Sequence, residues 1–168
     1  MKTISMPALA GILLALLSPS LSGQTSYQSP GGGENPFIGT WDLDAAGSQF
    51  GETPVPQNMS RTYADLGGGQ YMYMVVQLNS DGSLGGNSAT YRYDGAQYAI
   101  ANLNTSAPQA RISYRKLNER TVEYTVRVGD EVTQIGAKTM SPDGRYLTIA
   151  VQFPASGQSN QILRFNRR

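Results

Sequence analysis

The residues that could carry acid–base, nucleophilic or metal chemistry are few, because the 168-residue chain contains neither histidine nor cysteine. That removes the commonest general base, the thiol nucleophile and the usual zinc ligands. Carboxylates, tyrosines and arginines remain. Asp81, Asp94, Asp130 and Asp143 stand in Asn79-Ser80-Asp81-Gly82, Asp94-Gly95, Gly129-Asp130 and Ser141-Pro142-Asp143-Gly144. In such strings Asp or Asn bonds its own backbone to open a turn and Gly accepts positive φ, so turn capping is the simpler role. Asp42 and Asp44 flank Leu43 and share one face of a strand. A carboxylate pair can serve glycoside chemistry or hold calcium, but a solvated strand end accounts for the two equally well and more simply. No catalytic residue, metal ligand or cofactor site is assigned, and the chain is not expected to be an enzyme.

Arginine is the main cation. Arg111, Arg115, Arg120 and Arg127 gather around one expected hairpin, either as an anion-binding patch or, more simply, as solvated outward strand faces. Electrostatic capture of nucleic acid has no support from overall charge. Once an N-terminal leader containing Lys2 is removed, the 13 basic residues fall to 12, against 12 acids.

That leader is read from Lys2 followed by an almost wholly apolar run from Met6 to Leu17, too short to span a bilayer. Ser18-Pro19-Ser20-Leu21-Ser22-Gly23 then breaks the run with small residues, as a signal peptidase site does. Residues 1–23 are expected to be a cleaved signal peptide, leaving 145 residues in a secreted or periplasmic protein. Gln24 stands where a lipoprotein box requires cysteine, so no membrane anchor is expected after cleavage. Residues 24–36 include Pro30-Gly31-Gly32-Gly33, lack apolar periodicity and read as a flexible tether.

The remaining residues, 37–168, must build one core without a disulfide. Short runs rich in Val, Ile, Thr and Tyr, broken by the turns above, predict strands at 37–43, 58–65, 70–78, 88–93, 96–101, 109–117, 120–128, 131–140, 145–153 and 160–167. Ala45 to Phe50 could form at most one helical turn. Consecutive hairpins without crossover helices make an all-β, single up-and-down antiparallel barrel of about 8–10 strands. Period-two alternation puts Met72, Met74, Val76 and Leu78 inside, with Tyr71 and Tyr73 outside. It also turns Val122, Tyr124, Val126, Leu147, Ile149 and Val151 inward, and Arg92, Arg111 and Glu123 outward. Tyr91 and Tyr93 share a face opposite Arg92, and Ile112 shares one with Tyr114.

Phe37-Ile38-Gly39-Thr40-Trp41-Asp42-Leu43 carries a Gly-x-Trp that resembles the opening motif of lipocalins and their calycin relatives. Gly39 to Phe50, with the later Ser-x-Asp-Gly turn at Ser141 to Gly144 and a basic residue ending the last strand, is similar to uncharacterised secreted bacterial lipocalin-like proteins. The resemblance implies a closed meander barrel, in some members hollow, whose lining here would include Trp41, Met72, Met74, Tyr91, Tyr93, Tyr114, Tyr124 and Phe165. It also implies that Arg167 packs over the Trp41 indole to close one end. The fatty-acid-binding relatives carry an Arg-x-Tyr pair in the last strand, where this chain has Leu163 and Phe165. Two functions stay open: a barrel binding a small apolar or amphipathic molecule, and a filled barrel serving as a structural or interaction module of the cell envelope.

Overall fold

A computed structural model describes residues 35–168 apart from Thr105. The expected signal peptide and nearly all of the expected tether lie outside the described residues. The strands are β1 (Gly39–Gln49), β2 (Asn58–Gly67), β3 (Gln70–Leu78), β4 (Leu84–Tyr91), β5 (Tyr98–Ala99), β6 (Ala101–Asn102), β7 (Ala110–Asn118), β8 (Thr121–Val128), β9 (Glu131–Met140), β10 (Tyr146–Gln152) and β11 (Gln161–Arg167). All pairings are antiparallel, in one nearly closed sheet of order β5-β7-β8-β9-β10-β11-β1-β2-β3-β4-β6. Among the described residues there is no helix.

Ala45 to Gln49, within the stretch that could form at most one helical turn, are instead the second half of β1. Its ladder with β11 shifts register between Asp44 and Gln49, a bulge. Asp44 accepts from the Gly47 amide at 3.0 Å, and the Ser48 hydroxyl accepts from the Arg164 amide at 2.9 Å. Pairing with a neighbouring strand therefore overrides a weak local helical tendency.

Closure has two parts. The first and last strands pair, with Trp41 opposite Arg167 and Leu43 opposite Phe165. On the far side, the edge strands β5 and β6 are separated in sequence only by Ile100. Tyr98 pairs with Ile112 of β7 while Asn102 pairs with Asn87 of β4. One five-residue segment thus bonds one neighbour with its first half and the other with its second half. The barrel has ten staves, and this one is split.

The alternation in β3 is opposite to the expected one. Tyr73 and Val75 are each 4% exposed, whereas Met74 and Val76 are 43% and 45% exposed on the outer surface. Met72 and Tyr71 are both partly covered, and parity puts Met72 outside. Both faces of Tyr71 to Leu78 are apolar, so alternation within the strand does not distinguish them. The register decides: Tyr73 sits opposite Tyr63, and Tyr71 opposite Tyr91, within a cross-strand row of rings. Elsewhere Val122, Val126, Leu147, Ile149 and Val151 are buried and Arg92 and Arg111 are exposed. Tyr124 is partly buried; Glu123 is half exposed and pairs with Arg115 at 2.6 Å.

A tyrosine-lined interior with two buried basic side chains

One end of the barrel is closed by packing. Trp41 is fully buried, and its indole N–H donates to the Phe37 carbonyl at 2.9 Å. The Arg167 guanidinium lies 4.2 Å from the indole centroid. It also donates to the carbonyls of Ile38 at 2.9 Å, Pro36 at 2.7 Å and Gly144 at 2.9 Å, tying the segment before β1 and the turn before β10 to the last strand. The glycine of Gly-x-Trp has a physical reason here: Gly39 has φ +128°, and a Cβ there would meet Arg167 Nη1 at 3.0 Å. Phe165 and Leu147 fill the space beside Trp41, both with no exposed surface.

Above this base runs a belt of tyrosines from five strands: Tyr63 on β2, Tyr73 on β3, Tyr91 on β4, Tyr114 on β7 and Tyr124 on β8. Ring centroids lie 6.4 Å apart for Tyr63–Tyr73, 6.2 Å for Tyr73–Tyr91, 4.1 Å for Tyr91–Tyr114 and 6.0 Å for Tyr114–Tyr124. Tyr124 stands where it does because its cross-strand partner is Gly136, whose missing Cβ leaves room for the ring. Burial raises the pKa of all five phenols above the ordinary value, Tyr124 to about 12, so they stay protonated at any neutral pH.

Two cations enter the belt. Lys138 of β9 is 1% exposed, and its Nζ lies 4.3 Å from the Tyr63 centroid, 4.4 Å from Tyr114, 5.3 Å from Phe37 and 5.6 Å from Tyr91. It has no hydrogen-bond partner. Burial, then the nearby Arg61 charge, push its ammonium well below the ordinary lysine range. Arg61 of β2 sits deep in the barrel, 5.4 Å from the Phe165 ring, with its Nε unpartnered. Part of its surface is open to the interior space.

That space comprises two cavities sharing Arg61, Tyr124 and Gln134 on their walls. The inner one, about 340 Å³, reaches Tyr63, Tyr73, Tyr114 and Lys138. The outer one, about 490 Å³, is lined by Phe50, Met59, Val151, Phe153 and Leu163, with Asp81 and Gln161 among its polar residues.

Of the residues expected to line the interior, Tyr114 and Tyr124 border the inner cavity. Tyr91 is buried in the belt, and Phe165 and Trp41 belong to the packed base. Tyr93 lies beside Tyr71, at 4.9 Å between centroids, and accepts from the Asn35 side chain at 3.2 Å. Met74 is on the outer surface and Met72 shares its face, so neither can line the cavity. Tyr63, Tyr73, Arg61 and Lys138 went unrecognised in the sequence. A signal for Arg61 existed: Met59, Arg61 and Tyr63 alternate with Ser60, Thr62 and Ala64, so the larger set includes the arginine.

Asp42 and Asp44 pair with arginines rather than with one another. Asp42 bonds Arg168 at 2.6 Å and Ser60 at 2.7 Å, and these contacts, Arg168 first, hold its carboxyl below the usual range. Asp44 pairs with Arg164 at 3.6 Å. Asp81, Asp94 and Asp143 each accept from backbone amides two residues on.

The molecule is therefore a near-closed antiparallel β-barrel, with one end plugged and the rest hollow. No family model and no curated protein sequence matches the chain. A solved structure with this fold is that of Rv2717c from M. tuberculosis, at 14% identity and a TM-score of 0.50, covering 79% of this chain and 93% of that one. At that identity the likeness concerns the fold alone.

Proposed function

We propose that the chain is an exported lipocalin-like barrel that holds a small amphipathic molecule in its interior, and that it binds rather than catalyses. The observation that carries this reading is the hollow beyond the packed base: about 340 and 490 Å³, with shared walls and several buried phenols turned toward it. Cavities of this size suit a small ligand, and an apolar wall with few convergent polar groups is the usual composition of such a site. A filled structural barrel would place side chains in that space. Export rests on the apolar run Met6 to Leu17 and the small residues after it.

Two mass measurements test this. Native mass spectrometry of protein purified from its own host should show the chain plus a bound small molecule. A mass of the bare chain alone, with no thermal stabilisation by amphipathic compounds, would favour the filled barrel. Denatured intact mass of the exported form should correspond to a chain beginning at Gly23 or Gln24. Recovery of the chain from Met1 in a membrane fraction would sink the export reading.

A further inference from the structure

We infer that Arg61 and Lys138 form an anion-binding subsite inside the barrel, which receives the acidic group of an amphipathic ligand whose apolar part lies in the outer cavity. This rests on the binding reading above and narrows its ligand class.

Buried charges in proteins are ordinarily paired and hydrogen-bonded, since an isolated one loses its hydration without compensation. Lys138 is buried to 1% exposure with three N–H donors and no acceptor, and Arg61 Nε is likewise unpartnered. Ring faces of Tyr63 and Tyr114 compensate the ammonium only in part. The Arg61 charge also disfavours a proton on Lys138 and, after burial, contributes to its lowered pKa. Among the described residues, no Asp or Glu lines the inner cavity that both share. Asp81 is on the wall of the outer cavity, where it is exposed and bonded to Ser83.

An anion in the inner cavity would resolve each of these conflicts. It would offer acceptors to Arg61 Nε and Lys138 Nζ and screen their mutual repulsion. The phenols there are un-ionised, so they carry no charge against the anion and can donate to it; Tyr63 already accepts from the Arg61 guanidinium. The apolar portion follows from the walls of the outer cavity, where Phe50, Met59, Val151, Phe153 and Leu163 meet the same Arg61. Carboxylate, sulfate and phosphate monoesters share the required chemistry.

The test is calorimetric titration of the exported chain with decanoate, decyl sulfate and decanol. Both anions should bind at least about tenfold tighter than the alcohol, the size expected when a charge-assisted bond replaces a neutral one. Arg61→Met and Lys138→Met should each weaken decanoate by about tenfold or more and leave decanol unchanged. Arg61→Lys and Lys138→Arg should recover part of the loss. Preference of decyl sulfate over decanoate, or the reverse, identifies the acidic group. If decanol binds as tightly as the anions, the subsite is overturned while the hollow barrel stands. If none of the three binds, both readings fail. Should a methionine variant not fold, the anion-to-alcohol ratio of the unaltered chain still decides.

Discussion

Trp41→Ala should destabilise the barrel by about 3–5 kcal/mol, the cost of emptying a large buried aromatic site that cannot collapse. The indole has no exposed surface and bonds the Phe37 carbonyl, and it carries the Arg167 guanidinium 4.2 Å above it. Removing the ring therefore leaves a cavity, an unsatisfied carbonyl and an arginine without its platform. Arg167→Ala should cost less, about 0.5–2 kcal/mol from the cation–π contact, together with its three carbonyl bonds. Urea unfolding of both variants and of the double variant checks this. The double should fall short of the sum of the singles, because the two side chains share one contact. A Trp41→Ala loss below about 1 kcal/mol would mean that the base does not hold the barrel shut.

Alkali should unfold the protein cooperatively, beginning just above pH 10. Burial holds the Tyr63, Tyr73, Tyr91, Tyr114 and Tyr124 phenols above their ordinary value, while in the unfolded chain they titrate near 10. Past pH 10 the unfolded chain thus loses protons that the barrel keeps, so stability is full below that pH and falls as pH rises. Tyr124, held at about 12, alone removes roughly 2 kcal/mol by that pH. Lys138 acts in the opposite sense. Its folded value is lowered, so the unfolded chain binds the extra proton, and stability rises with pH from that lowered value up to 10.5. The groups facing it are Arg61 and Tyr63 from β2, Tyr91 from β4 and Tyr114 from β7. The expected profile climbs toward pH 10 and then drops, and Lys138→Met should remove the climb and keep the drop. Urea midpoints across an alkaline series measure it. A profile still flat beyond pH 11 would show that the phenols ionise inside an intact barrel.

Strand positions and barrel class were legible because the turn residues speak locally. Asp143-Gly144 and Asp81-Gly82 mark their hairpins whatever the rest of the chain does. The inward direction of β8 and β10 was legible too, since only one face of each is apolar. β3 was not, because Met72, Met74 and Val76 compete with Tyr73 and Val75, and only registration against Tyr63 separates them. The candidate site was less legible still. Its tyrosines could be counted and partly faced, but Lys138 enters through β9, whose inward set Gln134, Gly136, Lys138 and Met140 has a single large apolar member. A cation inside a barrel contradicts the rule by which faces are assigned, so pattern reading places it outside by default. Gly136 likewise looks like a defect in a strand until Tyr124 is seen lying across it.

The pairing of β1 with β11 also sets the order in which the protein can form. Hairpins from β2–β3 to β10–β11 join neighbours in sequence and can assemble as soon as their turns are made. The seam joins Trp41 to Arg167 and Asp44 to Arg164, contacts across nearly the whole described chain. Such long-range pairing is slow because the loop entropy is spent before any bond forms. Until the last strand has left the ribosome, β1 has one unpaired edge and Trp41 lacks Arg167. The unfinished sheet is then an open surface with aromatic rings along it, the kind of species that chaperones hold and that aggregates when they are scarce. Chains truncated before Gln161 should therefore accumulate as sticky intermediates with formed hairpins, whereas the full chain completes itself in a single late step.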